Sequence, residues 1–314
     1  MVNLKQCNIA VIAYHYIRPI KKSKYKNLKG MEIVEFRKQL DFFKKNYNIL
    51  NFEDFNEIIN NKTNFPKKPS VLLTFDDGYS DHYNYVFPEL IKKKIKGIFY
   101  PPTMVIENKL ILDVNKLHFI LAKEKNRDLI IREIKNIYKK RYKKEINFNQ
   151  LKFKNLKSRF DDKKTTLIKR TLQYVFPQRQ REFILKKLFN KVMNIDEKEF
   201  SKEIYLSRND VSEMYKNGMS FGIHGENHFW WEHLPIHKQE KELRNPINYF
   251  KKLNVGVSNI SVCYPNGSYN KSTLKILKKL NISFALTTQK GPINKKNVSL
   301  KYQLPRYDVN DTLQ

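Results

Sequence analysis

Long hydrophobic runs and cysteines are both scarce in this chain of 314 residues. Cys7 and Cys263 are too few for a disulfide framework, so we expect both to be reduced thiols. No window approaches the length and apolar content of a transmembrane helix, and the N-terminal segment lacks the extended apolar region and cleavage site of a signal peptide. The sequence therefore predicts a cytoplasmic protein, with peripheral contact to the inner membrane face left open.

Acidic residues are also few. The chain has 31 Asp and Glu and 61 Lys and Arg, which gives a formal net charge of +30. Lys, Asn and Ile are abundant throughout the chain, as an AT-rich genome would produce. The sequence contains no helix-turn-helix, zinc-finger or RNP-like motif, so we expect no nucleic-acid partner. Contact with an anionic membrane surface or an anionic sugar carrier is the alternative use of this charge.

Glycine is absent between residues 98 and 217. Within this region, Ile130, Ile134 and Tyr138 recur at helical spacing, and residues 105–205 hold 27 Lys or Arg against 13 Asp or Glu. These features predict a basic helical insertion over residues 105–205. Its charged face is either simply solvated, or covers a site, or contacts a membrane or carrier.

Six apolar segments outside this insertion have the composition of β-strands. They are residues 9–16, 70–77, 96–102, 219–225, 260–267 and 282–288. Apolar residues at helical spacing separate several of them, as Phe36, Leu40 and Phe43 do. This alternation favours a parallel sheet with crossover helices, and in its simplest form an α/β fold of the (β/α) barrel type, distorted or seven-stranded.

Reactive side chains stand where four of these strands end. They are His15, the pair Asp76 and Asp77 before Gly78, His224, and the turn Pro265-Asn266-Gly267. In a parallel barrel the carboxyl ends of all strands share one rim, and active sites lie there. We therefore expect these residues to converge in space.

Two of the histidines have a spacing that suits metal ligands. His224 and His228 are four residues apart, close enough for both imidazoles to reach one ion, and Asp77 adds a carboxylate. Two imidazoles and one carboxylate leave positions for water and substrate, as in a catalytic site. We therefore expect one divalent ion, with zinc as the first choice and cobalt, nickel, manganese and iron as compatible alternatives.

With these motifs the sequence resembles the polysaccharide deacetylase family, the NodB-homology domain of carbohydrate esterase family 4. The matching segments are TFDDG (74–78), HGENH (224–228) and YPNG (264–267), while AYHY (13–16) and LPRYDV (304–309) resemble the permuted branch that includes poly-N-acetylglucosamine deacetylases. The resemblance covers residues 9–102 and 219–309. It implies a single catalytic domain over residues 1–314 with the insertion inside it.

The resemblance also implies a role for each residue of the central motifs. Asp77, His224 and His228 would bind the metal, and Asp76 would be the general base that deprotonates a metal-bound water. His15 would protonate the departing amine. The alternative for His15 is a histidine at the edge of the core that is bonded to backbone.

Further residues would complete the site. The backbone N–H of Asn266 would stabilise the oxyanion. Arg306 would hold Asp76 ionised and oriented, unless it pairs with Asp308 or another neighbouring acid. The residues expected to line the sugar are Pro265, Tyr264 and Trp230. Cys263 stands near the place of the family's usual arginine, an absence that is expected in the permuted branch.

The predicted activity is that of a metal-dependent hydrolase that removes an N-acyl group, foremost N-acetyl, from an amino sugar of a surface polysaccharide or its precursor. The expected cytoplasmic location favours a nucleotide-linked or lipid-linked precursor over a finished polymer, and the basic charge would favour its phosphates. The alternative is a non-catalytic protein on the same scaffold that binds carbohydrate or an anionic membrane surface.

Overall fold

The structure is a computed structural model that describes residues 8–312 except 109, 152 and 154–160. The chain divides into two compact units. The first, here called the barrel unit, comprises Met1–Pro19, Gly30–Leu110 and Ser201–Gln314. The second, here called the insertion unit, comprises Ile20–Lys29 and Ile111–Phe200. The assignment of residues 1–314 to one catalytic domain stays a prediction.

Ten strands occur in the described residues. They are β1 (Ile9–Tyr14), β2 (Ile17–Arg18), β3 (Met31–Glu32), β4 (Asn48–Leu50), β5 (Ser70–Asp76), β6 (Ile98–Tyr100), β7 (Ser220–Phe221), β8 (Val262–Cys263), β9 (Ala285–Leu286) and β10 (Tyr307–Asp308). Each of the six predicted strand segments contains one of these strands. The short strands β2, β3, β4 and β10 were not predicted.

Seven parallel strands form the ring of the barrel unit. β10, β1, β5, β6 and β7 lie side by side in that order, and β8 pairs with β9. Two isolated parallel bridges, from Ile223 to Val262 and from Leu286 to Leu304, join the two sheets. The predicted (β/α) barrel with a helical insertion is thus confirmed, and the strand ends that carry the reactive side chains lie on one rim.

The two longest strands are buried along their whole length. All residues of β1 (IAVIAY) and β5 (SVLLTFD) are buried. Strands that are covered on both faces show a continuous apolar run and no alternation with polar residues. Their side chains join a core cluster that includes Val11 and Leu72 and also Cys263 of β8. This core fixes the strand ends from which the site is built.

Twelve α-helices occur in the described residues. They are α1 (Ile33–Asn46), α2 (Phe52–Ile59), α3 (Phe87–Lys93), α4 (Thr103–Asn108), α5 (Asp113–Lys123), α6 (Arg127–Tyr142), α7 (Lys163–Arg170), α8 (Gln178–Met193), α9 (Glu197–Ile204), α10 (Arg208–Lys216), α11 (Ile236–Lys252) and α12 (Lys271–Lys279). Capping boxes begin α2 at Asn51, α10 at Ser207 and α12 at Asn270, where the side chain of the capping residue accepts a free backbone N–H of the first turn. None of these helices combines the length and the apolar composition that a membrane span requires.

The insertion unit is helical, as predicted. In it α5 packs against α8, and the buried residues of α6 are Ile130 and Ile134. Residues 20–29, which precede α1, belong to the same unit, where the ring of Tyr25 lies 4.9 Å from that of Phe119. The unit is strongly basic, since residues 20–29 and 111–200 hold 30 Lys or Arg and 11 Asp or Glu.

We expect Gly78→Ala to destabilise the barrel unit. Gly78 has a φ of +67°, and a Cβ there would lie 2.5 Å from Cβ of Pro101 and 3.0 Å from its Cα. The left-handed backbone and the backbone contact together should lower the free energy of unfolding by about 2–4 kcal/mol. Urea denaturation measures this change.

Gly291→Ala is the matched control. A Cβ at residue 291 would make only an ordinary contact of 3.5 Å with Pro305, and the residue has no left-handed backbone. Its free energy of unfolding should stay within about 0.5 kcal/mol of the wild type. Equal effects of the two substitutions would show that the turn at Gly78 places no steric demand on that residue.

Candidate active site

A tight turn after β5 brings two neighbouring carboxylates to the same rim. Asp76 is the last residue of the strand, and Asp77 and Gly78 follow with φ of 69° and 67°. In an extended strand, adjacent side chains point to opposite faces of the sheet. The left-handed backbone at Asp77 and Gly78 ends the strand, so the side chains of Asp76 and Asp77 can both lie at the rim. The N–H of Asp77 donates to the carbonyl of Tyr100 at 3.1 Å, which ties the turn to the neighbouring strand.

The three predicted metal ligands converge. Nε2 of His224 lies 3.5 Å from Oδ1 of Asp77, and Nε2 of His228 lies 3.4 Å from the same oxygen. Donor atoms bound to one tetrahedral ion at about 2.0–2.2 Å lie roughly 3.3–3.6 Å apart. The three side chains are buried or nearly so. Their donor types and spacing therefore fit one divalent cation.

Hydrogen bonds orient two of these ligands. Nδ1 of His224 donates to the carbonyl of Cys263 at 2.7 Å, because a carbonyl can only accept, and this bond leaves Nε2 as the nitrogen that faces Asp77. The hydroxyl of Tyr79 donates to Oδ2 of Asp77 and leaves Oδ1 to face the imidazoles. Such contacts to metal-binding groups fix their tautomer and direction.

The ionisation states of Asp77 and His228 suit cation binding. Burial opposes ionisation of Asp77, but hydrogen bonds with His224 and His228 hold its pKa well below the usual range. Burial lowers the pKa of His228, so its imidazole is neutral near pH 7. A carboxylate and a neutral imidazole are the forms that a metal ion requires. Burial opposes protonation of His224, but Cys263 and Asp77 raise its pKa well above the usual value, so a metal ion would have to displace a proton from this ring.

Arg306 forms a two-point ion pair with the predicted general base. Its Nη1 lies 3.0 Å from Oδ1 of Asp76 and its Nη2 lies 2.8 Å from Oδ2, with both side chains buried. Burial opposes ionisation of Asp76, yet the charge of Arg306 lowers its pKa to about 2. The alternative partner Asp308 instead accepts the N–H of Asn310 at 2.9 Å.

A second group of potential ligands lies beside the first. Asp76, His224 and Cys263 have donor atoms within 4.8 Å of one another. Nη2 of Arg306, however, is 2.9 Å from Sγ of Cys263 and already supplies a positive charge to this group. Burial also raises the pKa of the Cys263 thiol, which keeps it protonated. Of the two groups, the one at Asp77 is therefore the better candidate for a cation.

His15 lies beside Asp76 and is open to solvent. Its Nε2 is 4.0 Å from Oδ2 of Asp76, and its side chain is 45% exposed. The backbone carbonyl of His15 accepts a hydrogen bond from Nε2 of buried His82 at 3.0 Å. The main chain is thus anchored while the imidazole is free to meet a substrate. Its role as the acid stays a prediction.

The turn that follows β8 presents the predicted oxyanion donor. Asn266 has a φ of 56°, and hydrogen bonds from Gly267 to the Tyr264 carbonyl and from Ser268 to the Pro265 carbonyl, both 2.9 Å, close the turn. A closed turn of this kind holds its backbone N–H groups in a fixed direction. The role of the Asn266 N–H stays a prediction.

The residues expected to line the sugar differ in exposure. The side chains of Tyr264 and Pro265 are buried, and the hydroxyl of Tyr264 donates to the carbonyl of Tyr302 at 2.7 Å. These two side chains are therefore packed in the interior next to the turn. Trp230 is partly exposed, and its ring stacks on that of His233 at 6.2 Å. Contact of its ring with a sugar stays a prediction.

The sequence matches one family model over a continuous range that includes parts of both units. The model of the family described as polysaccharide deacetylase matches residues 63–285, which is more than half of the chain. No curated protein matches the sequence.

Several solved structures have a similar fold, including the following three. The Streptococcus pyogenes deacetylase PplD, solved in complex with acetate, is 20% identical, with 98% of both chains covered and a TM-score of 0.59. IcaB from Ammonifex degensii is 15% identical over 94% of this chain and 95% of its own, with a TM-score of 0.53. A de-N-acetylase from Aggregatibacter actinomycetemcomitans is 14% identical over 95% and 93%, with a TM-score of 0.55.

We expect Arg306→Lys to move the acid limb of the pH–activity profile to higher pH. A general base works only when ionised, and a lysine cannot bridge both oxygens of Asp76 as the guanidinium does. The pKa of Asp76 should therefore rise from about 2, so that activity is lost at a higher pH as the solution is acidified. The measurement is kcat/KM from pH 9 down to about pH 2, because the limb should move upward from about 2.

Arg18→Lys is the control for this prediction. Arg18 also forms a buried pair with an aspartate, since its Nε lies 2.8 Å from Oδ2 of Asp81 and its Nη2 lies 2.5 Å from Oδ1. That pair does not touch Asp76, so the substitution should change stability and leave the acid limb in place. An unchanged limb in Arg306→Lys would contradict a role of Arg306 in the ionisation of Asp76.

Proposed function

The chain belongs to the polysaccharide deacetylase family, and we propose that it hydrolyses the N-acyl group, foremost N-acetyl, of an amino sugar with one divalent metal ion. Family membership supports carbohydrate deacetylation in general. Metal dependence is supported by the convergence of Asp77, His224 and His228 within bonding reach of one cation. This convergence beside the ion pair of Asp76 and Arg306 is the observation that carries the proposal.

The ion we propose is zinc, held by Asp77, His224 and His228. A bound divalent cation supplies Lewis acidity to the amide carbonyl and makes water more acidic. The set of two imidazoles and one carboxylate is one that zinc accepts readily, while cobalt, nickel, manganese and iron accept it as well.

Side chains at the rim would transfer the protons in the reaction. Ionised Asp76 takes a proton from the attacking water, and Arg306 keeps the carboxylate in the form that can do so. The N–H of Asn266 donates to the oxygen that gains negative charge. His15 gives a proton to the nitrogen as the carbon–nitrogen bond breaks, which yields a free amine on the sugar and a carboxylate.

We propose as substrate an amino sugar of a surface polysaccharide or of its nucleotide-linked or lipid-linked precursor. The net charge of +30 supports a precursor that carries phosphate, because Lys and Arg form charge-assisted hydrogen bonds with phosphate oxygens. We also propose a cytoplasmic location, with peripheral membrane contact through the basic surface.

Acetate release with and without a chelator tests the proposed activity. The panel should contain nucleotide-linked N-acetylhexosamines, a lipid-linked precursor and poly-N-acetylglucosamine oligomers. We expect release from at least one member, loss of release after chelation and recovery when zinc is added. If the protein binds members of the panel but releases acyl groups from none of them, it is a carbohydrate-binding protein on this scaffold.

Asp76→Asn and His228→Ala should separate the base from the metal ligand. Asp76→Asn removes the proton acceptor and should lower kcat by about 10²–10⁴-fold, while metal content stays near that of the wild type. His228→Ala removes a ligand and should lose both metal and turnover. Metal content is measured by mass spectrometry of the ion after dialysis. Equal metal loss in the two variants would contradict this division of roles.

His15→Ala should slow amide hydrolysis more than ester hydrolysis. An amine leaves only when it is protonated, whereas the phenolate of 4-nitrophenyl acetate leaves without a proton. We expect kcat to fall by about 10²-fold on the amino-sugar amide and by much less on the ester. His237→Ala, at an exposed histidine of α11, is the control and should change neither rate. Equal loss on both substrates would exclude His15 as the acid.

A further inference from the structure

The loop that presents His228 has an unusual backbone. Gly225 and His228, at its two ends, have φ of 76° and 60°, both in the left-handed region. Histidine adopts this region at a cost, so contacts from outside the loop must hold it there. The loop follows directly after His224, which means that its conformation sets the distance between the two imidazoles.

Glu242 of α11 supplies such contacts from the interior of the barrel unit. The residue is 3% exposed. Its Oε2 accepts the backbone N–H of Glu226 at 3.1 Å and that of Asn227 at 3.0 Å, and its Oε1 accepts Nδ2 of Asn227 at 2.6 Å. All three donors are neutral, and all belong to the two residues between Gly225 and His228. Successive backbone N–H groups that point to one acceptor form a cradle for an anion.

Gly225 and α4 complete this arrangement. A Cβ at residue 225 would lie 2.7 Å from Oε2 of Glu242, so only glycine lets the carboxylate come this close. On the acceptor side of the loop, the carbonyls of Gly225 and Glu226 receive the N–H groups of Thr103 at 3.4 Å and Met104 at 2.9 Å. The N–H groups of the loop are thus held by Glu242 and its carbonyls by the start of α4.

From these contacts we propose that Glu242 is a positioning residue, which fixes loop 225–228 in the conformation that directs Nε2 of His228 toward Asp77. Glu242 would act on the affinity for the metal ion through the loop and without touching the ion. The inference rests on the proposed metal-dependent function and adds to it a residue outside the family motifs.

Glu242→Ala should weaken metal binding in the folded protein. Loss of hydrogen-bonded partners of metal ligands costs about 10–100-fold in affinity. Because Glu242 bonds the two residues before His228 and not the ligand itself, we expect the dissociation constant for zinc to rise by about 10-fold, the lower end of this range. Titration of the apoprotein against a chromophoric zinc chelator measures it independently of turnover. Activity at saturating zinc should recover with an unchanged KM.

Two further variants show whether the hydrogen bonds carry this effect. Glu242→Gln keeps one oxygen that can accept both backbone N–H groups, and its zinc dissociation constant should stay within about threefold of the wild type. Glu240→Ala is the matched control, because this acid of the same helix is bonded at the surface to Arg244 and Lys279. It should leave the zinc dissociation constant unchanged.

The outcomes distinguish this inference from the function on which it rests. A wild-type protein that binds no zinc overturns both. If the wild type binds zinc and Glu242→Ala only lowers the melting temperature, with the same dissociation constant, Glu242 is a packing residue and the inference alone is overturned. Should Glu242→Ala fail to fold, Asn227→Ala must still raise the dissociation constant, by about threefold. This substitution removes the bond from Nδ2 to Oε1 of Glu242 and the longer bond from Nδ2 to Oε2 of Glu226 at 3.3 Å, and it keeps both backbone N–H bonds to Glu242. An unchanged constant there overturns the inference as well.

Discussion

Two neighbouring buried carboxylates can both stay ionised only if each has its own partner that stabilises the negative charge. Unit charges about 4 Å apart at an effective dielectric constant of 20 interact by about 4 kcal/mol, so an unpaired second carboxylate would take up a proton. Asp76 has Arg306 and Asp77 has the two imidazoles. The proposed separation of a base from a metal ligand therefore depends on this division of partners, and the division depends on the turn at Asp77 and Gly78.

The order and register of the strands place Arg306 and His15 beside Asp76. Strand β1 lies between β10 and β5. Residues from the N-terminal and C-terminal parts of the barrel unit therefore lie next to the end of β5. The register pairs Tyr14 with Phe75, which brings the next residues of the two strands, His15 and Asp76, to the same level. Arg306, immediately before β10, reaches Asp76 across 230 positions of sequence. A shift of either register by one residue would separate them.

Much of this could be predicted from sequence, because the informative signals are local. The buried strands show as apolar runs, and the acids and histidines of the rim stand at the ends of such runs or within one turn of each other. Other elements were missed because their signal is not local. Strands β2 and β3 have two residues each, too few for any periodicity, and nothing in residues 20–29 indicates that they belong to the insertion unit. Tyr79 and Glu242 were also missed, since only the folded chain brings them to Asp77 and to loop 225–228.

Helix α11 carries a proline at position 246, four residues after Glu242. In a regular helix the N–H of that residue would donate to the carbonyl of Glu242, and proline has no N–H to give. One backbone hydrogen bond of α11 is therefore missing at the helical turn that carries Glu242. The position of Glu242 beside loop 225–228 consequently depends on the tertiary contacts of α11 as well as on the backbone hydrogen bonds of the helix.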